Sequence, residues 1–273
     1  MGHHYSLMLA NQIEVNFVAS WRLYLPKFLQ EKGLANYEPL SVAAYLTWAE
    51  RTPGSLYDVG SNIGVYALMG ATGVRRNVMA FEPMPEPVKI LRVLALQHDL
   101  PIDVFEMAIS DNKGVDTLYL SAQSDMSNSL NSEFREHLGV LPVRTDSLDS
   151  FSLRRRPSII KIDTETTEMA VLSGAIETFK RDRPAVLLEV LTDELAAEVE
   201  AFFGPQNYTI NKIGSPEFSG RFSNVQSYET SGDLRNWLVV PSESPLDAAF
   251  YERTKEWVEY IREFSKKPAH PSG

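Results

Sequence analysis

The chain has 273 residues, of which 44% are hydrophobic and 23% charged, a composition that fits one large α/β domain with terminal additions. Its 26 basic and 36 acidic side chains give a formal net charge of −10, which disfavours nucleic-acid binding because that needs a basic surface. Cysteine is absent, which excludes disulfides and thiolate sites, and no apolar run reaches the length of a membrane span, so we expect a cytoplasmic protein that binds no membrane.

The first part of the chain, residues 1–50, is predicted to be a mostly helical extension. The segment "FVASWRLYLPKFLQ" is amphipathic, and Pro26 is expected to end or kink a helix there. A second helix is predicted over "LSVAAYLTWAE", where apolar residues recur at helical spacing. Packing against the domain accounts for both helices, and a lid over a substrate pocket is the functional alternative.

From residue 56 to about residue 213, strand-like and helix-like segments alternate. Helical patterns occur at "PEPVKILRVLALQHDL" and "TEMAVLSGAIETFKRD". The short apolar runs are "SLYDV", "NVMAFE", "IDVFEMAI", "SIIKID" and "AVLLEV". This order predicts an α/β fold with a mostly parallel sheet and helices on both faces, and such sheets bind ligands beyond the carboxyl ends of their strands.

Further strands are predicted beside and after this alternation. "GVDTLYLS" predicts an additional strand, and a polar loop, "AQSDMSNSLNSEFREHLG", follows it. "NYTINKI" and "RNWLVVP" predict an antiparallel pair that closes the sheet. We therefore divide the chain into the N-terminal extension, a domain over residues 51–241, and a C-terminal helix and tail over residues 242–273, with the helix expected at 244–266 and a disordered tail after it.

Three stretches place polar or flexible residues at the ends of predicted strands. In "DVGSNIG", residues 58–64, glycines allow a ligand to approach the backbone and the following helix N-terminus favours an anionic group. Glu82 ends the next strand, where its carboxylate can accept hydrogen bonds from both hydroxyls of a ribose. "MAISD", residues 107–111, is a candidate for contact with a nucleobase through Ala108 and Ser110.

Two more stretches bring carboxylates to the same edge of the sheet. "IIKIDTETTE" delivers Asp163, Glu165 and Glu168 after a buried strand, and Glu189 ends "AVLLEV". Carboxylates that crowd together shift one another's pKa values and supply a base or a cation site. Helix capping or solvent exposure accounts for such acids as well, and we expect no metal site here.

The order of these stretches resembles that of class I S-adenosylmethionine (SAM) methyltransferases, and more narrowly that of the FkbM family. "VMAFEPMPEPVKIL" and "IIKIDTETTEMAVLSGAIETF" are the specific segments, and the resemblance covers roughly residues 56–241. It implies a Rossmann-like class I methyltransferase fold with SAM as cofactor. It also implies O-methylation of a small-molecule hydroxyl on a sugar, polyketide or other secondary-metabolite scaffold. SAM carries no pyrophosphate, so one glycine turn and one ribose-binding acid would suffice.

The resemblance and the strand-end positions together give a set of candidate site residues. The cofactor is expected to contact Asp58, Gly60, Ser61, Asn62, Gly64, Glu82, Ala108, Ser110 and Asp163. The acceptor is expected to contact Ser127, Asn128, Ser129 and Glu189, although a mobile surface loop accounts for the first three equally well. Asp163 is expected to orient the cofactor or the acceptor hydroxyl, and Glu165 is the leading base candidate, with His137 in the polar loop as its rival.

The chain departs from the family pattern where Thr166-Thr167 replaces the usual Gly-Ala pair after the glutamate. Two β-branched residues restrict the backbone there, and Thr166 is expected to cap the following helix. The departure affects the expected shape of the substrate site and not the cofactor residues. It also supports the alternative function, a catalytically silent SAM-binding or scaffold protein on the same fold. An NAD-linked oxidoreductase is disfavoured by the glycine spacing and the closing strand pair, and nucleic-acid methylation by the charge. A homo-oligomer remains open.

Overall fold

The structure, a computed structural model, describes residues 2–213 and 235–265. The expected disordered tail and most of the sequence between the two closing strands lie outside the described residues. The strands are β1 (Gly2–Met8), β2 (Glu14–Ser20), β3 (Ser55–Val59), β4 (Val78–Glu82), β5 (Ile102–Glu106), β6 (Ala108–Ile109), β7 (Gly114–Ser121), β8 (His137–Asp146), β9 (Pro157–Ile162), β10 (Ala185–Glu189), β11 (Tyr208–Lys212) and β12 (Asn236–Pro241). The α-helices are α1 (Tyr24–Lys32), α2 (Pro39–Arg51), α3 (Val65–Gly73), α4 (Pro85–Gln97), α5 (Leu148–Ser152), α6 (Glu168–Ser173), α7 (Ile176–Asp182), α8 (Asp193–Phe203) and α9 (Ala248–Phe264).

Within residues 2–213 and 235–265, seven strands form the central sheet in the order β11-β12-β10-β9-β3-β4-β5. The strands from β10 to β5 run parallel, and β12 pairs antiparallel with both β10 and β11. The predicted mostly parallel sheet and its closing antiparallel pair are thus confirmed. The chain runs outwards from β3 to β5 and then returns to β9 on the other side of β3, so the topological switch point lies between β3 and β9.

Two apolar cores cover the two faces of this sheet. Leu56 of β3 belongs to the first core together with Trp257 of α9, whereas the adjacent Tyr57 belongs to the second core together with Phe179 of α7. Successive strand residues point to opposite faces, so each parallel strand contributes to both cores. The prediction of helices on both faces is confirmed. Within the described residues, no helix is long and apolar enough to cross a membrane.

The N-terminal extension begins with a β-hairpin, so the prediction of a mostly helical segment was wrong for its first part. β1 and β2 pair antiparallel, and the buried residues of β2 alternate as Val15, Phe17 and Ala19. A period of two is that of a strand with one buried face. Pro26 neither ends nor kinks a helix but lies in the first turn of α1, where its missing N–H would have no helical partner.

Other boundaries also differ from the sequence-based expectations. The helix predicted over "TEMAVLSGAIETFKRD" is divided into α6 and α7 near Gly174, where an added Cβ would lie 2.1 Å from the carbonyl oxygen of Ser110. The polar loop ends at His137, where β8 begins and joins β6 and β7 in a small separate sheet. β8 was not predicted, because most of its residues are exposed or half-buried and it lacks a continuous apolar stripe. The C-terminal helix begins at Ala248 rather than at residue 244.

The switch point depends on a glycine, which gives a first testable prediction. Gly60 has φ +74°, and an added Cβ would lie 1.8 Å from the carbonyl oxygen of Asp163. We expect Gly60→Ala to lower the free energy of unfolding by about 3 kcal/mol, because left-handed backbone and overpacking each cost roughly 1–3 kcal/mol. Gly204→Ala is the control, since a Cβ there meets nothing within 4 Å. Equal melting temperatures for the two variants would contradict the close approach of the two strand ends.

Candidate functional site

A cavity of about 600 Å³ opens beyond the carboxyl ends of the central strands. Its walls are formed by the turn after β3, the ends of β4, β9 and β10, the loop after β7, and part of the N-terminal extension. Parallel α/β sheets bind their ligands at this edge. Of the site residues predicted from the sequence, the lining contains Gly60, Ser61, Asn62, Glu82, Ala108, Ser127, Asn128, Ser129, Asp163, Glu165 and Glu189.

The turn between β3 and α3 is held in shape by backbone hydrogen bonds. The amide groups of Gly60 and Ser61 both donate to the carbonyl oxygen of Phe81 at 3.0 Å. Asn62 has φ +49°, and its side-chain oxygen accepts a hydrogen bond from the amide of Ile63 at 2.8 Å. Ser61 is only 5% exposed, yet its hydroxyl has no partner among the described residues. Because buried hydroxyls are normally hydrogen-bonded, this one can bond to a molecule held in the cavity.

The carboxylate of Glu82 is fixed in the cavity wall by two backbone amides. Its Oε2 accepts a hydrogen bond from Asn62 and its Oε1 from Met84, each at 2.8 Å. Burial raises the pKa of Glu82 to about 7, while the two amide hydrogen bonds favour the ionised form. Each oxygen keeps a second lone pair, so the carboxylate can still accept hydrogen bonds from two ligand hydroxyls.

Lys161 supplies a positive charge directly below the turn. Its Nζ lies 3.0 Å from Oδ2 of Asp163 and 3.8 Å from Oδ1 of Asp58, and it donates to the carbonyl oxygen of Gly60 at 3.3 Å. Burial opposes the charged form, but the carboxylates of Asp163, Asp58 and Glu38 outweigh it and raise the pKa of Lys161 above its ordinary value. Its role was not predicted, although a lysine within the apolar run "SIIKID" was the available signal.

Two residues that were predicted to contact the cofactor, Asp58 and Gly64, do not line the cavity but stabilise the structure around the turn. Asp58 is fully buried, and its Oδ2 accepts a hydrogen bond from the amide of Ala67 at 3.0 Å in the first turn of α3. Its carboxylate therefore supports the turn from below and does not face the cavity. Gly64 has φ +84°, and an added Cβ would lie 2.5 Å from Cδ1 of Leu91, so this glycine allows α3 and α4 to pack.

Two other predicted site residues also lie outside the cavity lining. The strand predicted over "IDVFEMAI" ends at Glu106, and β6 leaves the central sheet to pair with β8. The amide of Ser110 consequently donates to the carbonyl oxygen of Asp146 at 3.0 Å, away from the cavity. His137 begins β8 instead of lying in the loop, is exposed, and contacts the ring of Tyr119 at a centroid distance of 4.9 Å.

Asp163, Glu165 and Glu189 meet on the far side of the cavity, where each offers an oxygen within 4.8 Å of the others. Burial, followed by the charge of Asp163, raises the pKa of Glu165 to about 8, while Arg135 opposes the shift. Burial and the charges of Asp163 and Glu165 raise the pKa of Glu189 well above its ordinary value, although Nη1 of Arg235 lies 4.0 Å away. Carboxyl groups this close do not all ionise together, so the cluster shares protons and can accept one from a ligand.

The N-terminal extension contributes an aromatic wall to the cavity. Tyr24, Phe28 and Tyr37 line it, with centroid distances of 5.9 Å between the first two rings and 6.3 Å between the last two. The amide of Tyr24 donates to Oδ1 of Asp125 at 2.8 Å, which links α1 to the loop after β7. No sequence pattern pointed to this wall, because the contacts are made between segments that are distant in the chain.

The mostly parallel sheet with helices on both faces agrees with the expected Rossmann-like fold, and a family model matches the chain. The model described as "Methyltransferase FkbM domain" matches residues 58–214, more than half of the chain. The chain belongs to the FkbM methyltransferase family. Membership makes the protein a methyltransferase and implies SAM as its methyl donor.

The individual relatives share little sequence identity with this chain. The chain is 26% identical to the 31-O-demethyl-FK506 methyltransferase FkbM of Streptomyces tacrolimicus, and the match covers 67% of this chain and 84% of the relative. The solved FkbM methyltransferase from Methylobacillus flagellatus KT is 19% identical, with a TM-score of 0.46, and the match covers 68% of this chain and 43% of that structure. The chain thus spans less than half of that structure. The precorrin-6y C5,15-methyltransferase from Geobacter metallireducens GS-15 is 11% identical, with a TM-score of 0.41, over 82% of this chain and 92% of the other.

The FkbM-family segment after β9 has an unusual backbone where Thr166-Thr167 departs from the family pattern. Glu165 has φ +56° and Thr166 has φ +76°, in the left-handed region that glycine adopts readily and β-branched residues rarely. Thr166 does not cap α6, contrary to expectation: Thr167 occupies the N-cap position, and its hydroxyl donates to the carbonyl oxygen of Thr164 at 3.1 Å.

The buried cation gives a second prediction. Lys161→Met should lower the free energy of unfolding by about 3–5 kcal/mol, because it leaves the buried carboxylate of Asp58 and the half-buried carboxylate of Asp163 uncompensated. Adding Asp58→Asn should recover part of the loss, since it removes one of those charges. Urea denaturation measures both effects, with the surface variant Lys180→Met as the control. If Lys161→Met were as stable as the wild type, Lys161 would not compensate these carboxylates.

Proposed function

We propose that the protein is a SAM-dependent O-methyltransferase that acts on a hydroxyl of a small molecule. The observation that carries this proposal is the presence, in one cavity, of the glycine turn, the fixed carboxylate of Glu82 and the proton-sharing cluster around Glu165. The curated relative is named as the methyltransferase of an O-demethyl compound, which supports oxygen as the target atom. That this protein's own acceptor is a small-molecule hydroxyl is part of the proposal.

The residues around the turn fit SAM. The Ser61 hydroxyl is buried without a described partner, and Gly60, Ser61 and Asn62 all line the cavity, so the turn suits a ligand held against its backbone. We assign the N-terminal end of α3, with Ser61 and Asn62, to the methionine carboxylate, because a helix N-terminus favours an anion. Glu82 is assigned to the ribose hydroxyls, and Ala108 to the nucleobase. When bound, SAM supplies an electrophilic methyl group.

Glu165 is the general base of this proposal. A hydroxyl is a poor nucleophile, so removing its proton during transfer helps, and the best base has a pKa close to the working pH. Burial and Asp163 give Glu165 such a pKa, whereas an ordinary glutamate is too weak a base. Asp163, held by Lys161, is positioned to orient the acceptor hydroxyl. His137 is not proposed as the base because it is exposed and lies outside the cavity lining.

The acceptor is assigned to the half of the cavity between the aromatic wall and the loop after β7. This half of the cavity is lined by three residues of the loop, Ser127, Asn128 and Ser129. The N-terminal extension lines the same half, and we assign it the role of a lid. The titratable lining residues are Glu38, Glu82, Asp125, Asp163, Glu165 and Glu189 on the acidic side, and Arg135, Lys161 and Arg235 on the basic side. Because the raised pKa values of Glu165 and Glu189 keep these two carboxyls largely protonated near neutral pH, the remaining acidic and basic charges come close to balance, which favours an uncharged acceptor.

The pH dependence of catalysis tests the base. The free enzyme's kcat/KM should fall about tenfold per pH unit below about pH 8, because the raised pKa of Glu165 leaves it increasingly protonated there. The charges that act on Glu165 are those of Asp163, Glu168, Arg135 and Arg235, and Glu189 belongs to the same cluster. Glu165→Gln should lower kcat by about 100-fold or more and remove this acidic limb, while the Kd of S-adenosylhomocysteine stays within about twofold.

The assay uses the hydroxylated acceptor that the wild type turns over most rapidly, with the exposed Glu136→Gln as the matched control. An acidic limb that persists unchanged in Glu165→Gln would assign the titration to another group. Cofactor binding without turnover of any hydroxylated acceptor would favour the alternative, a catalytically silent SAM-binding protein.

A further inference from the structure

The loop between β7 and β8 is attached to the segment that carries the proposed base. The hydroxyl of Ser129 donates to the carbonyl oxygen of Glu165 at 2.5 Å, and Nδ2 of Asn131 donates to Oγ1 of Thr166 at 3.1 Å. The two loop residues are themselves connected, because the amide of Asn131 donates to the hydroxyl of Ser129 at 3.0 Å. Glu165 and Thr166, which follow β9, are therefore hydrogen-bonded to Ser129 and Asn131 of the loop.

The same loop is anchored on its other sides. Ser129 pairs through its amide and carbonyl groups with Tyr119 of β7, at 3.2 and 2.8 Å. Asp125 accepts a hydrogen bond from the amide of Tyr24 in α1. Residues 123–130 line the cavity throughout, so the loop forms a roof between the aromatic wall and the carboxylate cluster. Its position determines how an acceptor meets Glu165.

Thr166 is an unfavourable residue for its own backbone conformation. It has φ +76°, and a β-branched side chain there is strained in a way that glycine is not. Strain of this kind persists when the surrounding structure requires it, and it occurs preferentially at functional sites. What the threonine adds over glycine is the hydroxyl that accepts the hydrogen bond from Asn131.

We propose that Thr166 and Asn131 are positioning residues, which hold the loop between β7 and β8 against the segment that carries Glu165 and so set how the acceptor is bound. Neither residue is among those that line the cavity. The role in acceptor binding rests on the proposed function, whereas the connection between loop and base segment does not. Thr166 thus keeps a strained backbone conformation and provides a hydrogen bond that fixes the loop.

Amide hydrogen exchange of the protein without any ligand tests the connection. Thr166→Val keeps the branched shape but loses the hydroxyl, and Asn131→Ala loses the donor. Thr166→Val should speed exchange of the amides of residues 122–136 by about fivefold, and Asn131→Ala should speed it at least as much, because it also removes the oxygen that accepts a hydrogen bond from the amide of Glu133. The double variant should exchange as Asn131→Ala alone does, because that change already removes the bond to Thr166. Thr166→Ser keeps the hydroxyl and should exchange as the wild type does. Thr167→Val is the matched control, since that hydroxyl bonds within its own segment. Unchanged exchange in Thr166→Val, or additive effects, would overturn the proposal.

Kinetics then separate positioning from a merely structural role. Thr166→Val and Asn131→Ala should raise the acceptor KM about fivefold or more, with the Kd of S-adenosylhomocysteine unchanged. Thr166→Gly relieves the strained backbone, so it should be at least as stable as Thr166→Val and yet show the same raised KM. A normal acceptor KM in Thr166→Gly would show that the hydroxyl positions nothing. If the wild type turned over no acceptor, the proposed function would fail, while the exchange experiment would still decide the connection.

Discussion

A buried ammonium group between two strand ends is the interaction on which the site depends. Lys161, the lysine of β9, contacts Asp163 just after its own strand, Asp58 at the end of β3 and the carbonyl oxygen of Gly60. A buried charge is tolerated only when partners compensate it, so the ends of β3 and β9 are fixed relative to each other. Gly60 completes the contact, because only a residue without a side chain fits against the Asp163 backbone.

The two halves of the cavity follow from this fixed point. On one side, the turn after β3 and the end of β4 present backbone and the Glu82 carboxylate for a cofactor. On the other side, the ends of β9 and β10 bring Asp163 and Glu189 together with Glu165. Parallel strands place Glu189 beside Asp163 and Glu165 although α6 and α7 separate them in the sequence. Burial there raises the pKa of Glu165 into the range in which a base works near neutral pH.

Much of the fold could be predicted, because the central strands are apolar throughout and the helices between them are amphipathic. Several site residues, such as Glu82, followed from their position at strand ends. Strand-end position does not reveal which way a side chain points, since successive residues face opposite sides, and for that reason Asp58 was misplaced. β8 escaped prediction because it has little buried surface. The aromatic wall and the bond from Asn131 to Thr166 depend on long-range contacts that no local pattern records.

Calorimetric titration with S-adenosylhomocysteine, with and without EDTA, tests the central claim most directly, namely that the turn and Glu82 form the cofactor site. We predict saturable binding by the wild type and by Glu136→Ala, its loss in Glu82→Ala, and no effect of EDTA. Weaker binding in EDTA would instead assign the Asp163, Glu165 and Glu189 cluster to a cation. Absence of binding by the wild type, or unchanged binding by Glu82→Ala, would contradict the account.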